Sequence, residues 1–92
     1  TSKGVEQMNE EIFQIRCAID ADGVYFRIFK VEYKTSWLFG TKKTFIECEV
    51  WKFTGQLNPG PCKTYYRVRS FKDAKRAIGK SCLNYKIIRW EP

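Results

Sequence analysis

Glu47 and Glu49 stand two positions apart in the stretch 44–54, TFIECEVWKFT, and a β-strand through them aims both carboxylates at one face of its sheet. Two carboxylates on one face can hold a divalent cation or share acid/base work. The same face also carries Phe45, Trp51 and Phe53. The simpler expectation is two charged residues that pair with Lys or Arg on a neighbouring strand. The chain has no histidine, no nucleophile elbow and no phosphate-cradling glycine pattern. The expectation is a protein that is not an enzyme and takes no cofactor.

Cys17, Cys48, Cys62 and Cys82 contain no Cys-x-x-Cys pair. With no histidine to complete a ligand set, zinc is not expected. Three disulfide connectivities are open, but the chain shows no secretion signal, which favours free thiols. Cys17 and Cys48 alternate with apolar neighbours and read as small core residues.

Binding is the chemistry that remains, and two groups of residues can carry it. The first is basic. Residues 1–49 hold 7 Lys or Arg against 8 Asp or Glu, whereas residues 50–92 hold 10 against 2, so the whole excess of +7 belongs to the second half. Such a field attracts nucleic acid, an anionic membrane surface or an acidic protein. Within it, Lys63, Tyr65, Arg67 and Arg69 share one face of an expected strand, and Lys72, Lys75, Arg76 and Lys80 follow on an expected helix. Lys63, Arg67, Arg69, Lys72, Arg76 and Lys80 are the candidate phosphate contacts, and Tyr65 is a candidate stacking platform for an unpaired base.

The second group is apolar. KTSWLFGTKKT, residues 34–44, puts Trp37, Leu38 and Phe39 where a polar turn is expected, between Lys34 and the pair Lys42 and Lys43. The preferred expectation is that this eight-residue connection folds back over the open end of the sheet as a small satellite core, with Gly40 supplying the bend. In the alternative the three side chains stand out as an apolar tip. Such a tip suits a protein interface, where aromatic anchors dominate, or inserts weakly at an anionic membrane.

The elements that must position these groups follow from periodicity. Residues 12–19 alternate apolar and polar, DADG at 20–23 supplies a tight turn, and strands are expected over 24–34, 44–54 and 62–71. Ser70 and Asp73 form a capping pattern ahead of a helix over 71–80, with Phe71, Ala74 and Ile78 as its apolar stripe and Gly79 near its exit. A last strand covers 84–90. The predicted fold is α+β: an antiparallel sheet of four to five strands with one short helix on one face, in the order β-β-β-β-α-β. The apolar parity switches between Ile28 and Phe29, and again between Val50 and Trp51. That pattern predicts a β-bulge or strong coiling, or else a sheet buried on both faces.

A ten-residue helix is about 15 Å long and cannot cover such a sheet. A second copy of the chain is the expected cover, hence a homodimer. Residues 1–92 are read as a single domain, with 1–10 a flexible or vector-derived tail and Met8 the natural start. No apolar run suits a signal peptide or a spanning helix, so a cytoplasmic location is expected. The leading functional expectation is a small binding module whose basic second half contacts nucleic acid without strong sequence preference. The alternative is a protein-interaction adaptor or inhibitor that binds through Trp37, Leu38 and Phe39, with its charge steering it to an acidic partner.

Overall fold

In the stretch 11–20 apolar residues fall on alternate positions, and in the computed structural model, which describes residues 10–91, that stretch is the first strand. The elements run β1 (Glu11–Asp20), β2 (Gly23–Ser36), β3 (Gly40–Trp51), β4 (Leu57–Pro59), β5 (Tyr65–Tyr66), α1 (Phe71–Ser81) and β6 (Tyr85–Ile88). The described residues are mostly sheet with one short helix. Among them, six strands form one sheet in the order β4-β3-β2-β1-β6, with β5 also pairing β3. The expected tail falls almost wholly on residues 1–9, Met8 among them, which lie outside the described residues.

The expectation of a purely antiparallel sheet of four to five strands is corrected in three places. β6 runs parallel to β1, pairing Glu11 with Tyr85 through Gln14 with Ile88. A strand that returns after a helical crossover points the same way as the strand that entered it. Here the entering segment runs antiparallel to β2, at Phe26 and Val68, and so parallel to β1. The second correction is the predicted long strand 62–71. It is reduced to β5 and a single bridge because it enters between β2 and β3 where they part. Val50 and Trp51 of β3 pair with Tyr66 and Tyr65 on one side of it, and the Phe26 N–H donates to the Val68 carbonyl at 2.8 Å on the other. The third is the stretch GQLNPGP, residues 55–61, which lies outside every expected strand and contributes β4 against Glu49 and Val50.

The parity switch at Ile28 and Phe29 has a plain cause. Pairing is unbroken from Ile12–Val31 to Asp20–Gly23 and from Ile28–Cys48 to Ser36–Gly40, so no bulge interrupts either ladder. Ile28 is 1% exposed and Phe29 7%. Consecutive strand residues face opposite sides, and both sides of the sheet are therefore covered at this point. On one side the cover is α1: Phe13, Ile15, Ile28, Val50 and Val68 pack with Ala74, Ala77 and Ile78 of the helix. On the other, the Arg16 guanidinium lies over the Phe29 and Phe45 rings at 4.1 and 4.8 Å, and that of Arg27 over Phe29 at 5.1 Å. The charged ends of both side chains thus cover the aromatic rings of this face as cation–π contacts. Part of the surface that the sequence assigned to a second copy is thus covered from within.

The helix begins as its capping pattern predicts: the Ser70 hydroxyl accepts a hydrogen bond from the Asp73 N–H at 3.1 Å. Its buried stripe is Ala74, Ala77 and Ile78, whereas Phe71 is half-exposed and stands edge-on to Phe26. Gly79 is not the exit; the helix runs on to Ser81. There the hydroxyl donates to the Ala77 carbonyl at 3.1 Å and accepts from the Leu57 N–H at 2.7 Å, tying the helix end to β4. The four thiols are unpaired, and Cys48 is buried as expected. Cys17 is exposed, a correction, because the short helix leaves the turn end of its face open, where Ile19 and Val24 are exposed too. No helix among the described residues is long and apolar enough to cross a membrane.

Candidate binding site at the tip of a projecting arm

β2 and β3 outrun their neighbours. β1 pairs with β2 only as far as Ile12–Val31, while the β2–β3 ladder continues to Ser36–Gly40. Among the described residues, no other strand pairs with 32–36 or 40–46. Residues 32–44 are thus a two-stranded arm of five cross-strand pairs, about 17 Å long at the rise of an antiparallel strand.

The expected eight-residue connection is in fact three residues, Trp37, Leu38 and Phe39, and this corrects the satellite core as well. Gly40 takes φ +77°, the left-handed conformation that closes three-residue hairpins. The Ser36 hydroxyl accepts from the Leu38 N–H at 3.2 Å. Ser36 and Gly40 make the turn between them, so the three apolar side chains have no part in closing it. They point outward, with Trp37 91%, Leu38 63% and Phe39 86% exposed.

Polarity is graded behind the tip. Thr35 and Thr41 come first, their hydroxyl oxygens 3.4 Å apart. The Lys34–Lys42 pair follows, and then Tyr33–Lys43. Successive pairs face opposite sides, so Lys34 and Lys42 occupy one face of the arm and Lys43 the other, where its ammonium lies 5.7 Å from the Phe45 ring centre.

The basic candidate site is divided by the sheet. Val68 packs toward the helix, so Tyr65, Arg67 and Arg69 face the opposite way, whereas Lys72, Arg76 and Lys80 lie on the outer side of α1. The arginines are also engaged. Arg67 Nε is 3.2 Å from Asp20 Oδ2, and its guanidinium lies 4.3 Å over Tyr25. Arg69 reaches Asp20 at 3.1 Å and Asp22 at 3.8 Å. The hydrogen bond from Arg69 is the chief reason the Asp20 carboxyl sits below its ordinary value. Arg76 pairs with Asp73 one turn back at 3.4 Å. Lys63, Lys72, Lys75 and Lys80 are exposed, and the Lys80 ammonium sits against Gly55.

Glu47 and Glu49 have separate hydrogen-bond partners. Glu47 takes a two-pronged hydrogen bond from Arg27 at 2.7 and 2.8 Å, which holds its carboxyl below the ordinary glutamate value of 4.5. Glu49 accepts from the Cys62 N–H at 2.6 Å. They line an open pocket with Tyr25, Arg27, Tyr65 and Arg67 where β2 and β3 part. No group of three or more Cys, Asp or Glu among the described residues is placed to hold a metal. Sequence reasoning missed Arg16, whose period-2 parity with Phe29 and Phe45 becomes visible only once the register is known. It also missed Tyr33, which pairs with Lys43 across the ribbon. In comparisons with known proteins, no family model, no curated protein and no solved structure matches the chain.

Proposed function

We propose that this chain is a non-catalytic binding module that attaches to its target by burying the Trp37-Leu38-Phe39 tip of the β2–β3 arm. The carrying observation is that two aromatic side chains, almost fully exposed, and an exposed leucine stand at the end of a ribbon whose turn does not need them. Large aromatic side chains give the most binding energy per residue when a partner buries them, and they lose little conformational freedom in doing so. The rest of the fold then serves as the base that carries the arm.

The polyanion reading narrows to Lys63 and one face of the helix, where Lys72, Lys75 and Lys80 are exposed. Arg67 and Arg69 face aspartates instead. The test is co-fractionation of the full chain in cells. Wild type is expected in a large-particle or membrane fraction, and W37S/L38S/F39S is expected to leave it, while K72Q/K75Q/K80Q stays with wild type. Identical distributions of wild type and the tip variant would overturn the proposal.

A further inference from the structure

The target of the arm is legible in the order of chemistry along it. We propose that the arm docks end-on onto an anionic lipid surface, with Trp37, Leu38 and Phe39 at the boundary between headgroups and acyl chains and Lys34, Lys42 and Lys43 among the lipid phosphates. The inference rests on the tip being the contact, and it names what the tip contacts.

Depth supplies the first argument. Taking about 3.4 Å per pair along the ribbon, the Lys34–Lys42 pair lies about 7 Å behind Ser36–Gly40, and Tyr33–Lys43 about 10 Å behind. Between them and the tip are only Thr35, Thr41, Ser36 and Gly40, small and neutral. The polar zone on each side of a bilayer is about 5 to 8 Å thick, and interfacial segments bury their apolar part about 5 to 10 Å deep. An apolar cap, a neutral hydroxyl layer and then cations reproduce that profile. Tyr33, about half-exposed at the depth of Lys43, adds an amphipathic ring of the kind that collects at headgroup level.

The placement of charge supplies the second. Lys34 and Lys42 lie on one face of the ribbon and Lys43 on the other, so the backbone positions that carry the cations form a collar at nearly one depth. A collar matches a plane met head-on. An arm lying along a nucleic-acid groove needs its cations in a stripe along its length, and an aromatic anchor in a protein pocket needs no cations at one level on both faces. The one acid on the arm, Glu32, is paired with Thr44 at its base, about 14 Å behind the turn and clear of the headgroups.

The test mixes the full chain with vesicles of phosphatidylcholine alone or with added phosphatidylserine, and reads the sedimented fraction. Wild type is expected on the phosphatidylserine vesicles and to be released by salt. Each lysine near an anionic surface is worth a factor of about five, so K34Q/K42Q/K43Q is expected to bind about 100-fold more weakly. W37S/L38S/F39S is expected to lose binding, and Trp37 emission, read in a W51F/W90F background, to shift blue on vesicles. No sedimentation of wild type at low salt overturns the lipid target. So does a Trp37 response to oligonucleotides and not to vesicles; both results leave the tip as the contact. If the tip variant sediments as well as wild type, the tip is not the contact and both proposals fall.

Discussion

The Arg16 guanidinium lies 4.1 Å from the centre of the Phe29 ring, and a charged side chain thereby roofs a buried aromatic on the sheet face that the helix does not reach. Its Nε donates to Gln14 Oε1 at 2.7 Å, and Gln14 Nε2 donates in turn to the Arg89 carbonyl at 3.2 Å, so the roof is held in place.

Arg16→Ala is therefore expected to destabilise the fold by about 1 to 2 kcal/mol, the sum of a partly desolvated cation–π contact and lost cover over Phe29. Arg16→Lys is expected to recover less than half, because an ammonium cannot lie flat on the ring while hydrogen-bonding Gln14. Urea denaturation measures both. Equal midpoints for wild type and Arg16→Ala would show that the roof contributes nothing.

Replacing Ser70 tests the helix start. Ser70→Ala removes the acceptor for the Asp73 N–H, an expected loss of about 1 kcal/mol or about 5 °C in Tm for a domain of this size. Ser70→Asp keeps an acceptor and is expected to stay within about 2 °C of wild type. A calorimetric scan separates the two.

What the sequence disclosed and what it withheld divide along sequence distance. Ser70 and Asp73 are three apart, and their pattern placed the helix start correctly. The turn at DADG is equally local, and its Asp22 N–H bonds to Asp20 Oδ1 at 2.8 Å. Parity likewise put Tyr65, Arg67 and Arg69 on one face. The aspartates that engage those arginines lie almost fifty residues earlier in the chain, and no periodicity connects Arg69 to Asp20. The parallel return of β6 and the entry of residues 65–68 between β2 and β3 are pairings of the same distant kind. Trp37, Leu38 and Phe39 were conspicuous by type, but whether they fold back depends on Ser36 and Gly40 closing the turn without them. Cys17 failed for a geometric reason: its parity is right, and the helix is too short to reach it.

Acid should loosen the fold through Glu47. Its folded carboxyl titrates below the ordinary value of 4.5, chiefly through the hydrogen bond from Arg27. A depressed carboxylate contributes stability that is present above its unfolded value and is lost as pH falls through its folded one. Stability is thus expected to decline from about pH 5 downward. Glu47→Gln, which has no proton to take up, is expected to lower stability at neutral pH and to flatten that acid limb. The pair is about 40% exposed on each side, so the effect is modest, on the order of 0.5 kcal/mol. Urea midpoints across the acid range for both proteins measure it, and parallel limbs would remove Glu47 as a contributor.

The thiols should react in an order set by access. Cys17 is exposed, whereas Cys48 is buried and its thiol is pushed up by that burial. The Cys82 thiol is also raised, by burial first and then by its hydrogen bond to Glu11 Oε2 at 3.0 Å. Since the thiolate is the nucleophile, brief alkylation at neutral pH is expected to label Cys17 ahead of Cys82 and to leave Cys48 unmodified until denaturant is added. Peptide mass spectrometry reads the order, and early labelling of Cys48 would contradict the packing of Ile28 against it across the β2–β3 ladder.

The hairpin offers the sharpest contrast, because its turn and its tip rest on different residues. Gly40 holds φ +77°, and a Cβ there meets nothing within 4 Å. Space is free and the strain of Gly40→Ala is purely one of backbone conformation, a loss of about 1 to 2 kcal/mol. W37S/L38S/F39S removes three side chains that touch water, and surface changes of that kind stay within about 0.5 kcal/mol. The expected result is a clear fall in the urea midpoint for Gly40→Ala and almost none for the triple variant. The reverse order would mean that the three apolar residues fold back over the sheet to stabilise it, and the arm would then have no free tip to offer a target.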